Sequence, residues 1–220
     1  MDHQSRPGLY PKKNRRDRLI QRTQQHPTWA LGWADEVWWS RLAQPNQHCW
    51  TDSHAVPKLH ALARPLGEPD PKAVACYGLL VRHHPLHPEQ MLLRFVEGRP
   101  VSAVTTAFLA WGSNRLATQG ITALVLLWDN ASWHISQEVR AWLRTHNHLV
   151  KRTGQGVRIV PCRLPTKSPW LNPIEPKWVH GTRAVSEPDR LLSAVELEAR
   201  VYTYYGCIPE THLVMPKKVA

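Results

Sequence analysis

Residues 121–136, ITALVLLWDNASWHIS, contain the stretch that decides the fold. Ile121 to Trp128 carries no charge, and this run ends abruptly at Asp129. A short apolar run bounded by polar residues is typical of a strand that is buried on both faces. Open α/β sheets place ligands and catalytic groups at the carboxyl ends of such strands. Asp129 is therefore predicted to be either a turn-former or a functional carboxylate, depending on whether other acids can reach it.

The segments on either side of this strand predict a mixed α/β sheet. Upstream, TWALGWADEVWWSRL (28–42) indicates two strand segments around Asp35 and Glu36, and residues 72–82 and 91–99 indicate two further strands. Helical spacing of apolar residues predicts a helix before the central strand and another after it, and the chain continues with a strand at 157–165 and further helices. Three antiparallel strands followed by alternating helix and strand predict an α/β sheet of mixed direction.

The charge of the chain favours a polyanionic partner. The formal net charge is +11, from 28 basic and 17 acidic side chains, and such a field most often serves nucleic-acid binding. Residues 1–28 carry seven basic side chains, and residues 147–183 carry seven more against a single acid, Glu175. The predicted DNA-binding residues of this second region are Lys151, Arg152, Arg163, Lys167, Lys177 and Arg183. A basic protein with scattered surface charges is the alternative.

Composition also argues against several classes of protein. No apolar run approaches the roughly 18 residues of a membrane-spanning helix, and the polar, basic amino terminus does not resemble a secretory signal. The four cysteines are widely spaced without a C-x-x-C pair, which indicates neither a disulfide framework nor a zinc ribbon. We expect a cytoplasmic, nucleoid-associated protein without a membrane partner.

Three acids are candidates for one site. If the strands that carry Asp35 and Asp129 are parallel neighbours, both carboxylates emerge at the same edge of the sheet, where Mg²⁺ would relieve their repulsion. Glu175 as a third acid would allow two ions to promote in-line attack on a phosphodiester. Each acid also has a simpler interpretation. Asp129 can be a plain turn residue, Glu36 can be the first acid although it lies on the opposite pleat, and Glu175 can pair with Lys177 or Arg183.

Three segments, WADEVWW (33–39), LVLLWDNASWH (124–134) and LPTKSPWLNPIEPKW (164–178), resemble in order the acid-bearing motifs of the DDE transposases. More narrowly, they resemble those of mariner-like bacterial insertion sequences. The resemblance implies a ribonuclease-H-like fold with helices on both faces of the sheet, and a catalytic, metal-binding triad of Asp35, Asp129 and Glu175. It also implies two Mg²⁺ or Mn²⁺ ions, and cutting and joining of DNA at the ends of a mobile element. The motif residues that we expect to position the site are Asn130, His134, Asn172 and Pro173.

The resemblance also suggests how the chain is divided. Such enzymes normally carry a helix-turn-helix region that reads the element's ends, so residues 1–28 are predicted to be a poorly ordered basic arm or linker from a missing amino-terminal DNA-binding domain. Residues 29–205 are the predicted catalytic domain and 206–220 a tail, with a homodimer expected when active. Two alternative functions are a non-catalytic DNA-binding or assembly remnant of a decayed transposase, and a structure-specific nuclease of the same fold.

Overall fold

The computed structural model describes residues 9–42, 63–83, 88–166, 168–187 and 190–215. Lys167, a predicted DNA contact, lies outside these ranges. In chain order the elements are α1 (Leu9–Gln24), β1 (Trp29–Ser40), β2 (Ala73–Arg82), β3 (Gln90–Val96), α2 (Ser102–Thr118), β4 (Ala123–Trp128), α3 (Gln137–Thr153), β5 (Arg158–Arg163), a 3₁₀ turn (Pro169–Leu171), α4 (Ile174–Val185) and α5 (Ala194–Tyr205).

The strands form one sheet in the order β3-β2-β1-β4-β5. β1, β2 and β3 pair antiparallel, whereas β4 runs parallel to both of its neighbours, β1 and β5. This confirms the predicted sheet of mixed direction. All six residues of β4 are buried, which is why the strand reads as a continuous apolar run rather than an alternating one.

Helices cover both faces of the sheet, as predicted. On one face α2 and α3 pack against Leu124 and Leu126 of β4. On the other face α1, α4 and α5 pack against the alternate residues Val125 and Leu127. No helix within the described ranges has both the length and the apolar character needed to cross a membrane.

The prediction of two strand segments around Asp35 and Glu36 is wrong, because β1 is a single strand of twelve residues. Residues 31–40 all pair with β2, from Leu31 opposite Arg82 to Ser40 opposite Ala73. This antiparallel ladder carries the strand straight through the two acids. Asp35 therefore lies inside β1 and not at its end.

The amino-terminal region also differs from its prediction. Residues 9–24, expected to belong to a poorly ordered arm, form α1, which packs against β1, β4 and β5. Leu19 and Ile20 pack against the apolar core on this face, and Thr23 is buried. A few apolar side chains on one side of an otherwise basic helix are enough to dock it, and the average composition of the segment concealed them.

The predicted tail is ordered up to residue 215. Leu213 is buried and its N–H donates to the carbonyl of Phe95 at 2.7 Å, while the N–H of Glu97 donates to the carbonyl of Leu213 at 2.9 Å. These bonds pair the segment with the outer edge of β3, which would otherwise present unpaired backbone groups. Residues 216–220 lie outside the described ranges.

Candidate active site

The sheet brings Asp35 and Asp129 together at the carboxyl-terminal end of β4. In the parallel pair of β1 and β4, Trp33 lies opposite Leu127, and each aspartate follows two residues later on its own strand. β4 ends at Trp128, immediately before Asp129, whereas β1 continues beyond this point. The two acids therefore lie in continuing register where β4 stops, as the sequence predicted for parallel neighbours.

Asp35 is half-buried beneath α4. The indole N–H of Trp178 donates to its Oδ2 at 3.0 Å. The pKa of Asp35 is raised from 3.8 to about 7, mainly by burial and then by the carboxylates of Glu36 and Glu175, against the opposing hydrogen bond from Trp178. A carboxyl with this pKa at the edge of a sheet is typical of a functional site, because a purely structural role gains nothing from the strain.

His134 links the site to the opposite face of the sheet. Its Nδ1 lies 2.7 Å from Oδ1 of Asp129, and its Nε2 lies 2.8 Å from Oε1 of Glu36. The ring is 2% exposed and stacks on Trp128 with centroids 4.7 Å apart. Burial alone would lower the pKa of His134, but the hydrogen bonds to Asp129 and Glu36 outweigh it and raise the pKa to about 9. An imidazolium that donates from both nitrogens therefore bridges the two carboxylates at neutral pH.

Asp129 is ionised by the same contacts. Burial would raise its pKa, yet the hydrogen bond from His134 and that from the N–H of Ala131, at 2.9 Å to the same oxygen, lower it overall. The bond to Ala131 makes Asp129 a turn-former as well as a candidate ligand, so the two interpretations of this residue are compatible. Its Oδ2 accepts no hydrogen bond from the described residues, and the side chain is 56% exposed.

Glu36 faces away from Asp35, on the opposite pleat as predicted. Besides His134, it accepts a hydrogen bond from the indole N–H of Trp133 at 3.1 Å, and its side chain is 8% exposed. Glu36 thus serves the face that holds α3, whereas Asp35 lies on the face of α4 and Glu175. The geometry favours Asp35 over Glu36 as the first acid.

Glu175 lies in the first turn of α4. Burial raises its pKa, and the carboxylate of Asp129 adds to the effect, so all three acids are electrostatically coupled. Within the described residues Glu175 forms no ion pair, and Lys177 pairs instead with Glu89, Nζ to Oε2, at 3.1 Å. The alternative in which Lys177 neutralises Glu175 is therefore not what the structure contains.

The supporting motif residues hold the ends of these elements. Asn130 donates from Nδ2 to the carbonyl of Leu164 at 2.8 Å and so ties the end of β4 to the segment after β5. Pro173 is the N-cap residue of α4, and the carbonyl of Asn172 accepts from the N–H of Glu175 at 3.2 Å. Asn172 is 2% exposed, and its Oδ1 lacks a hydrogen-bond partner within the described part of the chain.

The donor atoms fit a hard cation, since they are carboxylate oxygens. A bound cation would also lower the raised pKa values of Asp35 and Glu175. In the arrangement described, however, no three His, Cys, Asp or Glu side chains of residues 9–42, 63–83, 88–166, 168–187 and 190–215 lie close enough to hold one ion. The chemistry of the donor set matches a divalent metal, and binding would require the acids to draw closer.

The predicted DNA-binding residues that the structure describes do not form one patch. Arg163 ends β5 at the same edge as Asp129. Lys151 and Arg152 lie in the last turn of α3, which runs back from that edge, so they lie at the opposite end of the sheet. Arg183 is exposed about two turns beyond Glu175 on α4.

Two contributors to the site were missed at the sequence level. Neither Trp178 nor Trp133 was predicted to contribute to the site. Both are tryptophans whose N–H reaches a carboxylate, Asp35 or Glu36, and a buried indole N–H usually needs such a partner. The density of tryptophans beside the acids was the available signal.

Comparison with known proteins finds a matching family. Residues 90–197 match the model of the DDE superfamily endonuclease family, a range that includes Asp129 and Glu175 but not Asp35. No curated protein sequence matches the chain.

Several solved structures of a transposase share the fold. The Mos1 transposase paired-end complex with left transposon end aligns with a TM-score of 0.59 at 17% identity, covering 95% of this chain and 58% of that one. The mariner Mos1 paired-end complexes with Mg and with Mn both align with a TM-score of 0.55, at 15% and 17% identity. They cover 93% and 91% of this chain and 56% and 55% of theirs. The chain thus spans little more than half the length of these transposases, and the likeness confirms the ribonuclease-H-like fold.

Proposed function

We propose that this chain, whose residues 90–197 match the model of the DDE superfamily endonuclease family, is the catalytic domain of a transposase that cuts and joins DNA at the ends of a mobile element. The observation that carries the proposal is the coupling of Asp35, Asp129 and Glu175 at one edge of the sheet. Glu175 raises the pKa of Asp35, and Asp129 raises that of Glu175.

The proposed reaction has two steps at one site. Water attacks a phosphodiester at the element's end and releases a 3′-hydroxyl, which then attacks a phosphodiester of the target DNA and displaces a second 3′-oxygen. Mg²⁺ or Mn²⁺, two ions held by Asp35, Asp129 and Glu175, would activate the attacking oxygen and stabilise the leaving one. Support comes from the oxygen donor set and from the Mg and Mn complexes of the similar Mos1 transposase.

The remaining residues of the proposed site hold the three acids in place. Trp178 orients Asp35 through its indole N–H, and His134 engages one oxygen of Asp129 while leaving the other open. Asn172 and Pro173 set the start of α4, so that Glu175 emerges in its first turn. The positive charge of the chain would hold the DNA backbone, and in the same proposal the active species is a cytoplasmic homodimer.

The test is cleavage of duplex DNA that carries the ends of the element encoding this chain, with Mg²⁺ or Mn²⁺. Asp129→Ala and Glu175→Gln are expected to lower the rate more than about 100-fold, because loss of even the partners of metal ligands typically costs 10- to 100-fold. Glu138→Gln is the matched control, since Glu138 also lies in the first turn of a helix, α3, and is exposed to solvent. Full activity in Asp129→Ala would refute the assignment, and equal cutting of branched DNA without element ends would favour a structure-specific nuclease.

A further inference from the structure

Three arginines from distant parts of the sequence meet around the free edge of β5. Arg15 of α1, Arg140 of α3 and Arg163 at the end of β5 line one cavity of about 320 Å³. We propose that this cavity, the arginine pocket, binds a phosphate of the DNA backbone next to the cleavage site. The choice of DNA as the source of the phosphate rests on the proposed function.

The arginine pocket lies on the face of the sheet that holds α3 and is joined to the acid site through His134. Its wall includes Trp128 and His134, and His134 is hydrogen-bonded to Asp129 on one side. In the parallel pair of β4 and β5, Arg163 lies opposite Trp128, so the arginine ends its strand at the level where β4 gives way to Asp129. A DNA strand with one phosphodiester at the acids would reach this cavity with another of its phosphates by crossing the end of β4.

The charge of the pocket is uncompensated. Its lining holds three arginines and no acid, and within the described residues none of the three forms an ion pair. The contrast with the next residue of α1 is clear, because Arg16 is paired with Asp17 at 2.6 Å. The side chain of Arg15 donates a hydrogen bond from Nη2 to the carbonyl of Pro161 at 3.3 Å, and Pro161 also lines the pocket.

The residues that line the pocket match the shape and charge of a phosphate group. Guanidinium groups present planar pairs of N–H donors that match phosphate oxygens. Trp128 and Leu143 form a buried apolar floor, and low-dielectric walls concentrate the field of surrounding charges. Phosphate contacts of this kind fix the position of a duplex without reading its sequence. A contact beside the acids would therefore hold the DNA in place for cleavage.

The pocket is distinct from the other basic residues. Arg140 and Lys151 are eleven positions apart on α3, a rise of about 16 Å, and Lys151 lies at the opposite end of the sheet. Arg158 begins β5 and is exposed at that same opposite end. It therefore offers a matched control, an arginine of the same strand that lies outside the pocket.

The experiment measures binding of element-end duplex DNA by fluorescence anisotropy in EDTA, at several salt concentrations, for wild type, Arg140→Gln, Arg163→Gln and Arg158→Gln. We expect each pocket variant to bind about tenfold more weakly than Arg158→Gln and to lower the slope of log affinity against log salt by about one. Arg163→Lys keeps the positive charge but loses the paired N–H donors of the guanidinium, so its DNA affinity should lie between those of wild type and Arg163→Gln. Equal binding by the pocket variants and Arg158→Gln would overturn the proposal.

Two further measurements distinguish failure of the proposed function from failure of the proposed arginine pocket. Cleavage assayed in parallel shows whether the proposed function fails, and weaker binding by the pocket variants supports the pocket even if no cleavage occurs. Inorganic phosphate is added in a thermal-shift assay to test for a site that takes free anions. A rise in wild-type Tm with millimolar phosphate, together with unchanged DNA binding in the variants, would overturn the DNA assignment.

Discussion

Asp35 is the residue at which folding and function conflict most clearly. Its carboxyl lies half-buried under Trp178 and near two other carboxylates, and its pKa is about 7 in the folded protein. Because the ordinary value is 3.8, the folded state binds a proton that the unfolded chain releases between about pH 4 and 7. The free energy of unfolding contributed by Asp35 therefore falls as the pH rises through this window and levels off above it.

Replacing Asp35 with Asn is expected to stabilise the metal-free protein at high pH. In EDTA at pH 8, the Tm of Asp35→Asn should exceed that of wild type by at least about 2–4 °C, the shift that roughly 1 kcal/mol produces in a protein of this size. Near pH 4 the two proteins should have the same Tm, because the aspartate is then neutral. Thermal unfolding across this pH range provides the measurement.

Two comparisons make this result specific to the site. Asp17→Asn, at a partly exposed carboxylate paired with Arg16, should gain no stability at pH 8. Added Mg²⁺ should raise the Tm of wild type more than that of Asp35→Asn, because a ligand that binds only the folded state stabilises it. A Tm of Asp35→Asn at or below wild type at pH 8 in EDTA would show that Asp35 is not under strain.

At the scale of elements, the site depends on how closely α4 approaches the sheet. Gly78 of β2 lies opposite Asp35, and a Cβ at this position would overlap the indole ring of Trp178 and approach Ile174 Cδ1 at 3.2 Å. The absence of a side chain on β2 therefore lets Trp178 lie over the sheet and reach the carboxylate. This glycine is needed for a close approach and not for an unusual backbone conformation.

Gly78→Ala is thus expected to damage both stability and catalysis. Overpacking of this kind costs about 1–3 kcal/mol, and displacement of the indole would remove the hydrogen bond that orients Asp35. Tm and the rate of metal-dependent DNA cleavage are the two measurements. The control is Gly112→Ala in α2, where the nearest atom to the added carbon, Leu79 Cδ2, is 3.7 Å away. If Gly78→Ala cut DNA as fast as Gly112→Ala, the position of Trp178 would be unimportant for the reaction.

At the scale of the whole molecule, the positive charge surrounds the sheet more widely than the site requires. The arginine pocket lies at the edge with the acids, Lys151 and Arg152 lie at the opposite end, and α1 brings further basic residues onto one face. A net charge of +11 spread in this way should hold DNA without reading its sequence.

Binding of duplex DNA by the wild-type chain should therefore weaken at least about tenfold between about 50 and 200 mM salt, and should depend little on sequence, because each neutralised phosphate releases counter-ions. Glu175→Gln should bind as wild type does while losing cleavage. Affinity that does not change with salt would contradict the prediction. Binding by the wild type without any cleavage would favour the non-catalytic alternative.

The sequence by itself determined the order of elements from β2 onward and the central buried strand, and it predicted the three acids of the proposed site. Apolar runs and helical spacing are local properties, so the central strand β4 and the helices before and after it, α2 and α3, could be predicted from the sequence. The strand-ending Asp129 and the isolated Glu175 were visible because each breaks the character of its surroundings. These features can be recognised without knowing which helices and strands contact one another.

Only the tertiary structure decided how the supporting residues contact the acids. The antiparallel ladder with β2 carried β1 through Asp35, a few apolar contacts docked α1, and the bonds of Leu213 to β3 ordered the predicted tail. The bridge from Asp129 through His134 to Glu36 joins residues about a hundred positions apart, and the arginine pocket joins three elements. Such contacts depend on the packing of whole elements across the sheet, which no local pattern of residues records.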